Sequence, residues 1–146
     1  MRIFTHPKLI LDIKEINGTK YFKLIWKGIF NTVVFRDLVY KSIKSYKEEL
    51  PKFNNTTTSK VLIVSDSTEV ELIRKVDVEW LITVVHPILE EIGITHQAII
   101  PPNAERISDL VDHYSAEKKY KNFSYQVFRN EEEGVSWYMD HVNKLP

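Results

Sequence analysis

An Asn-Gly pair between two runs of alternating side chains constrains the fold more than any other feature of the sequence. Both residues tolerate the positive φ angles of a type I′ turn, so Asn17 and Gly18 predict a tight β-hairpin between residues 8–16 and 20–27. A two-residue loop fixes which residues of the two strands lie opposite each other. On one face every such pair is apolar, and these pairs are Leu9–Trp26, Leu11–Leu24 and Ile13–Phe22. One face of the hairpin is therefore predicted to be buried and the other to be mostly exposed to water.

Beyond the hairpin, helical and strand patterns alternate along the chain. Apolar residues at helical spacing predict four helices, over residues 32–50, 77–92, 107–114 and 131–145. Short apolar runs predict three further strands, at residues 61–64, 97–100 and 124–128. Strands that are joined through helices run parallel, with right-handed crossovers. The order ββαβαβαβα therefore predicts an α/β fold with a mixed five-stranded sheet, in which parallel strands follow the hairpin and helices lie mainly on one face.

Capping and breaking residues predict where the helices begin, bend and end. Asn31 or Thr32 precedes the first helix and Asp77 the second, and these side-chain types cap helix N-termini. Pro87 lies inside the apolar pattern of the second helix, so this helix is predicted to kink one turn earlier or to split there. Gly93 follows the pattern and predicts the end of the helix.

Length and composition fit one soluble domain that spans residues 1–146. Hydrophobic residues make up 43% of the chain and charged residues 27%, which argues against disorder. The 20 basic and 20 acidic residues cancel, so general nucleic-acid binding is not expected. No apolar run is long enough to span a bilayer, and the N-terminal residues are too short and interrupted for a signal peptide. We therefore expect a cytoplasmic protein.

The sequence contains no recognisable catalytic or metal-binding motif. The absence of cysteine excludes disulfides, thiolate metal sites and cysteine nucleophiles. The five histidines are scattered and do not show the spacing of a zinc-binding helix. Four glycines in the whole chain leave neither a phosphate-binding loop nor a Gly-x-Ser-x-Gly motif. We therefore predict no catalytic residue, no bound metal and no cofactor, and we expect that the protein is not an enzyme.

Polar residues follow the predicted carboxyl ends of the parallel strands. Ser65, Asp66 and Ser67 follow one strand, Asn103 follows the next and Arg129 follows the last. Ligands of open α/β sheets bind beyond these strand ends. We therefore expect these five side chains to converge as the candidate ligand or partner site.

Three tryptophans are candidates for lining an apolar pocket. Trp26 ends the second hairpin strand, Trp80 lies in the second helix and Trp137 lies in the last helix. Large aromatic side chains line pockets, but they also fill ordinary hydrophobic cores. Both interpretations stay open here. The pocket interpretation places a cavity between the second helix and the C-terminal helix, near Trp80 and Trp137.

Four segments, taken in order, resemble a known family. These segments are Trp26-Lys27-Gly28 at the end of a strand, Val61-Leu62-Ile63-Val64-Ser65-Asp66 followed by Val78-Glu79-Trp80, Pro87 to Gly93 before Gln97-Ala98-Ile99-Ile100, and Phe128 to Trp137 with its acidic turn. Their order and spacing resemble the SpoIIAA-like proteins of the STAS-domain superfamily, over nearly the whole chain. The resemblance implies a STAS-like fold of bacterial type, similar to that of anti-sigma-factor antagonists.

The resemblance also points to one position for phosphorylation. In the anti-sigma-factor antagonists a serine is phosphorylated in an Asp-Ser-Ser-Gly context, at the loop before the second main helix. The matching segment is Ser65-Asp66-Ser67-Thr68, which lacks the second serine and the glycine of that motif. Ser67 is the best positional candidate, and an ordinary Asx or Ser/Thr turn is the alternative interpretation.

Two functions follow as predictions. The first is a non-catalytic regulatory or protein-interaction domain of STAS-like fold, whose partner is another protein or a second copy in a homodimer. The net charge of +7 on residues 1–60 and of −7 on residues 61–146 fits contact with a charged partner. The alternative interpretation is that the two halves interleave in space and their charges mix over the surface. The alternative is a binding protein for a small apolar, lipid-like molecule, with its pocket near the carboxyl ends of the parallel strands.

Overall fold

A computed structural model describes residues 1–53, 59–102 and 121–143. Within these ranges a six-stranded sheet has its strands in chain order, and the strands are β1 (Arg2–His6), β2 (Leu9–Ile16), β3 (Thr19–Ile29), β4 (Leu62–Leu72), β5 (His96–Ile100) and β6 (Ser124–Val127). The helices are α1 (Thr32–Glu49), α2 (Lys75–Trp80), α3 (His86–Ile92) and α4 (Glu131–Asn143). A 3₁₀ turn (Leu50–Lys52) follows α1, and a π-helical segment (Leu81–Val85) joins α2 to α3. The α/β fold predicted from the sequence is confirmed.

The hairpin forms with the predicted register. Asn17 and Gly18 have φ angles of 50° and 78°, as the tight turn requires. Every predicted cross-strand pair is observed, including Leu9 with Trp26 and Ile13 with Phe22. β1 is an additional strand that pairs antiparallel with β2 and makes the sheet six-stranded. Its five residues are too few, and too irregular in polarity, to give a strand pattern in the sequence.

The sheet has a hydrophobic core on each face. The larger core lies under α1, α2 and α3 and contains the apolar hairpin face together with Ile63 of β4. The smaller core lies under α4 and includes Leu62, Val64 and Tyr21. The burial of Tyr21 corrects the prediction that its hairpin face is mostly exposed to water. Part of that face is buried because α4 lies across it, and α4 comes from the far end of the chain.

β4 is longer than predicted. The apolar run predicted a strand at residues 61–64 followed by a loop, whereas β4 extends from Leu62 to Leu72. Ser65 and Asp66 are strand residues, because they pair with both the long strand β3 and β5. A β-bulge then places two residues of β4, Ser67 and Thr68, opposite the single residue Trp26 of β3.

The second helix is split at Pro87, as predicted. The His86 N–H bonds to the Leu81 carbonyl five residues back, which is π-helical geometry, and Pro87 lies in the first turn of α3. Proline cannot donate a hydrogen bond to the preceding turn, so the wider turn accommodates it. Gly93 ends α3 with a φ of 105°.

The N-cap of α2 is not the residue that the sequence predicts. Arg74 occupies the N-cap position, and Asp77 lies buried in the first turn of α2. Asn31 caps α1 as expected, because its side chain accepts a hydrogen bond from the Val34 N–H. The predicted helix at residues 107–114 lies outside the described residues. No helix in the described part of the chain combines the length and apolarity that a membrane span needs.

Candidate functional site

A cavity of about 120 Å³ lies between the sheet and the layer formed by α1 and the α2–α3 segment. Its floor consists of side chains of β3, β4 and β5, and its roof consists of side chains of both helical segments. Most of the lining is aliphatic or aromatic, with Ile63 and Ile99 in the floor and Val39 and Val78 in the roof. The cavity therefore lies inside the larger core of the protein.

One end of the cavity is aromatic. Trp26, Phe30 and Phe35 are all buried and contact one another, with ring centroids 5.3 to 5.7 Å apart. The Trp26–Phe30 and Phe30–Phe35 pairs meet nearly edge to face, at 73° and 76°. This is a favoured geometry for aromatic pairs, so the three rings form a fixed wall.

Polar side chains also line the floor of the cavity. Ser65 and Ser67 project from β4, and Gln97 projects from the neighbouring strand β5. Ser67 lies opposite Trp26, whereas Gln97 pairs with Ile63, four residues earlier on β4. All three polar side chains are partly exposed, so solvent reaches the floor of the cavity.

Among the lining side chains that the structure describes, none carries a charge at neutral pH. Burial raises the pKa of Tyr46, so its hydroxyl stays neutral. His86 lies behind the lining, where burial lowers its pKa to about 3 against the opposing effect of a hydrogen bond with Gln97. The described lining of the cavity is therefore uncharged as well as mostly apolar.

The structure brings together two of the five polar residues that the sequence places in one site. Ser65 and Ser67 line the cavity. Asp66 lies between them on the strand and points to the opposite face, where its carboxylate accepts hydrogen bonds from the Thr68 N–H and hydroxyl at 3.0 and 2.8 Å. Arg129 is exposed and pairs with Glu133 in the first turn of α4 at 2.6 Å. Asn103 lies outside the described residues.

The three tryptophans have separate surroundings. Trp26 lines the cavity. Trp80 packs between Tyr40 of α1 and the Arg36 guanidinium, outside the cavity. Trp137 lies on the other face of the sheet against Phe128. The cavity therefore lies between α1 and the α2–α3 segment, rather than between the second helix and the C-terminal helix as predicted.

Sequence reasoning did not single out Phe30, Phe35 or Gln97 as site residues. The helical spacing of Phe35 correctly marks it as buried, but burial does not distinguish the wall of a cavity from a filled core. Gln97 could have been identified more readily than Phe35, since it is a polar residue whose neighbours along a short apolar strand are buried.

A histidine pair under α4 is a second polar cluster. Nε2 of His96 lies 3.1 Å from Nδ1 of His141, and Nδ1 of His96 lies 2.8 Å from the Thr95 hydroxyl. Burial, together with the charges of His141 and Lys60, lowers the pKa of His96 to about 4. In the described ranges no group of three side chains with metal-ligand chemistry is found. The pair therefore fits a structural role between β5 and α4.

Glu131 anchors the start of α4 to the sheet. Its carboxylate accepts hydrogen bonds from the Tyr21 hydroxyl at 2.6 Å, from Lys14 at 3.0 Å and from Lys23. Burial alone raises the pKa of Glu131, but these hydrogen bonds outweigh it and the net pKa is lowered. The carboxylate is therefore occupied in binding α4 to β2 and β3.

Comparison with known proteins supports the fold. No protein-family model matches the chain, and no curated protein sequence matches it significantly. Among solved structures, the chain is similar to an uncharacterised protein of the DUF3478 family from Shewanella loihica PV-4, which is described as having a SpoIIAA-like fold. The similarity has a TM-score of 0.54 at 10% sequence identity and covers 92% of this chain and 98% of that chain. The protein therefore has a SpoIIAA-like fold, as the order of its sequence segments predicts.

Proposed function

We propose that the protein is a non-catalytic binding domain that takes up a small, mostly apolar molecule in the cavity above β3, β4 and β5. The observation that carries this proposal is the cavity itself, which combines a buried aromatic wall with the hydroxyl groups of Ser65 and Ser67. Along β4 the cavity extends from Ile63, near the start of the strand, to Val70, near its end.

The hydrophobic effect supports this proposal. The lining is mostly apolar and solvent reaches it, so the empty cavity leaves apolar surface in contact with water. A bound apolar molecule removes that surface from water, which is favourable by roughly 25 cal/mol per Å².

The chemistry of the lining favours binding over turnover. Ser65 and Ser67 contribute hydroxyl groups to the floor of the cavity, and a hydroxyl nucleophile needs an adjacent base. The described lining contains no acidic, basic or imidazole side chain that supplies one. The lining therefore favours hydrogen bonding to a ligand, rather than nucleophilic attack, as the role of these hydroxyls.

The first experiment is native mass spectrometry of the protein as purified from cells, compared with its mass after denaturation. We expect a non-covalent adduct that is lost on denaturation. A Ser65→Ile variant fills the cavity with a residue that suits a strand, and we expect it to lose the adduct. Ser124→Ile is the matched control, because Ser124 is an exposed strand residue on β6. Equal adduct retention by the two variants contradicts the proposal.

A protein-interaction role is the second candidate, and an exposed aliphatic patch favours it. Val33 at the start of α1 is 80% exposed, and Ile29 of β3 is 56% exposed beside its partner Leu72 of β4. Val76 of α2 is also exposed. Aliphatic side chains grouped at one end of a molecule are typical of interaction surfaces.

Self-association through this patch is measured by sedimentation velocity. If a second copy binds here, the wild type sediments as a dimer, Val33→Asp sediments as a monomer, and the control Ser45→Asp on the same helix remains dimeric. A wild type that is monomeric at all concentrations contradicts a homodimer.

A further inference from the structure

The size of the cavity limits its ligand to one ring. The cavity volume of about 120 Å³ is close to that of an apolar cavity that takes up benzene, which is roughly 150 Å³. Pockets for drug-sized molecules are larger, at about 300–1,000 Å³. A lipid-like molecule, the ligand considered in the sequence-based alternative, therefore does not fit inside.

The buried wall favours an aromatic ring over an aliphatic one. Trp26, Phe30 and Phe35 already meet in tilted and edge-to-face arrangements, so both ring faces and ring edges are presented at one end. An aromatic guest extends this arrangement, because its own positive edge and negative face complement theirs. An aliphatic guest gains only contact area.

The absence of charge from the described lining excludes an ionised ligand. Burial of a carboxylate, phosphate or ammonium group is costly unless an opposite charge pairs with it. No lining side chain in the described ranges supplies such a charge, and His86 stays neutral behind Gln97. The ligand is therefore uncharged.

The polar groups of the cavity floor call for a hydrogen-bonding group on the ligand. Ser65 and Ser67 project from the same strand, and their hydroxyl groups both donate and accept hydrogen bonds. Ser67 lies opposite Trp26 of the neighbouring strand, so these hydroxyl groups lie beside the aromatic wall. A ring that carries one hydroxyl therefore matches the wall and the floor at once.

We propose that the cavity selects small uncharged aromatic alcohols of the phenol class, with the ring against Trp26, Phe30 and Phe35 and the hydroxyl facing Ser65 and Ser67. This inference rests on the proposed binding function and specifies the ligand class for the same cavity.

Three probes that share a methyl-substituted benzene ring test the ligand class. These probes are p-cresol, toluene, which lacks the hydroxyl, and p-toluate, which carries a charge. Titrations of the full chain followed by two-dimensional amide NMR give dissociation constants and show which residues respond. We expect p-cresol to bind about tenfold more tightly than toluene, because one hydrogen bond is added, and p-toluate not to bind. The responding amides should include Ser65 and Gln97.

A double variant tests the role of the two serines. Ser65→Ala with Ser67→Ala is expected to weaken p-cresol binding about tenfold while leaving toluene binding unchanged. Ser124→Ala, on the exposed side of β6, is the control and is expected to bind both probes as the wild type does. The amide spectra of all variants report whether the fold is retained.

The outcomes separate the ligand class from the binding function. Equal affinity for p-cresol and toluene, or tight binding of p-toluate, overturns the phenol-class inference while the cavity remains a binding site. A cell-derived adduct that is found although no probe binds also overturns the phenol-class inference, while the cavity remains a binding site. If no cell-derived adduct is observed and no probe binds, both proposals fail.

Discussion

Asp77 is a single residue that joins two helices across the roof of the cavity. It is fully buried in α2, and its carboxylate accepts hydrogen bonds from Arg36 at 3.1 Å and from the Thr32 hydroxyl at 3.0 Å, both on α1. We expect Asp77→Ala to lower the free energy of unfolding by about 2–3 kcal/mol, because two hydrogen bonds to a charged group are lost and Arg36 loses its partner. Urea denaturation measures this change.

Asp37 provides the matched control on α1. It pairs with Lys41 one turn away, and both side chains are more than half exposed. Solvent screens such a pair, so Asp37→Ala is expected to cost about 0.5 kcal/mol or less. A loss for Asp77→Ala as small as the loss for Asp37→Ala means that the buried pair does not stabilise the helical layer.

At the scale of elements, Gly134 sets how closely α4 approaches β5. A Cβ atom at Gly134 lies only 2.6 Å from the Cβ of Ala98. We expect Gly134→Ala to destabilise the protein by about 2 kcal/mol, because the helix must shift away from the sheet. Adding Ala98→Gly removes the clash, so the double variant is expected to recover part of this loss in thermal or urea unfolding.

Gly93→Ala separates this packing effect from the effect of backbone strain. Gly93 ends α3 with a φ of 105°, and no other atom lies within 4 Å of an added Cβ. Its expected cost of about 1 kcal/mol comes from the left-handed backbone alone. Adding Ala98→Gly to Gly93→Ala is therefore expected to restore none of the lost stability. Recovery in both backgrounds argues against a specific contact between α4 and β5.

The elements differ in how well the sequence predicts them, because some depend on neighbouring residues and others on contacts with distant parts of the chain. The hairpin is predicted to the residue because the Asn17-Gly18 turn fixes the register locally. The second half of β4 is not predicted, because Ser65 and its neighbours form a strand only by pairing with β3 and β5. The burial of Tyr21 depends on α4, more than 100 residues later.

The candidate site is predicted in part for the same reason. Topology places Ser65 and Ser67 just after a predicted central strand, and the structure finds them within the longer strand β4, in the lining of the cavity. Strand alternation separates Asp66 from them, and the ion pair with Glu133 holds Arg129 at the surface. Which aromatic residues enclose a space depends on how helices cross the sheet, and a single sequence does not contain that information.

At the scale of the whole molecule, two buried histidines make stability depend on pH. Burial lowers the pKa of His86 to about 3 and that of His96 to about 4, from an ordinary value of 6.5. Below 6.5 the unfolded chain binds protons that the folded protein does not. Stability is therefore expected to fall as the pH drops from 6.5 towards 4, by up to about 1.4 kcal/mol per pH unit for each histidine.

Urea unfolding at several pH values between about 5 and 6.5 measures this slope, in a window above the ordinary pKa of carboxylates such as Glu131. His96→Gln removes one of the two buried groups and is expected to halve the slope. His6→Gln, on β1, is the control and is expected to keep it. An unchanged slope in His96→Gln means that His96 does not contribute.

Because of the bulge in β4, the shape of the cavity depends on how many residues this strand contains as well as on their types. Between the pairs Ile25–Asp66 and Lys27–Glu69, β4 has one residue more than β3. Ser67 and Val70 both line the cavity only because this extra residue shifts the alternation between them. Deletion of Thr68 would restore a regular ladder with Ser67 and Val70 still on the cavity side, and it would straighten the strand beside Trp26. A change in chain length at one position can thus reshape this space while every lining side chain stays the same.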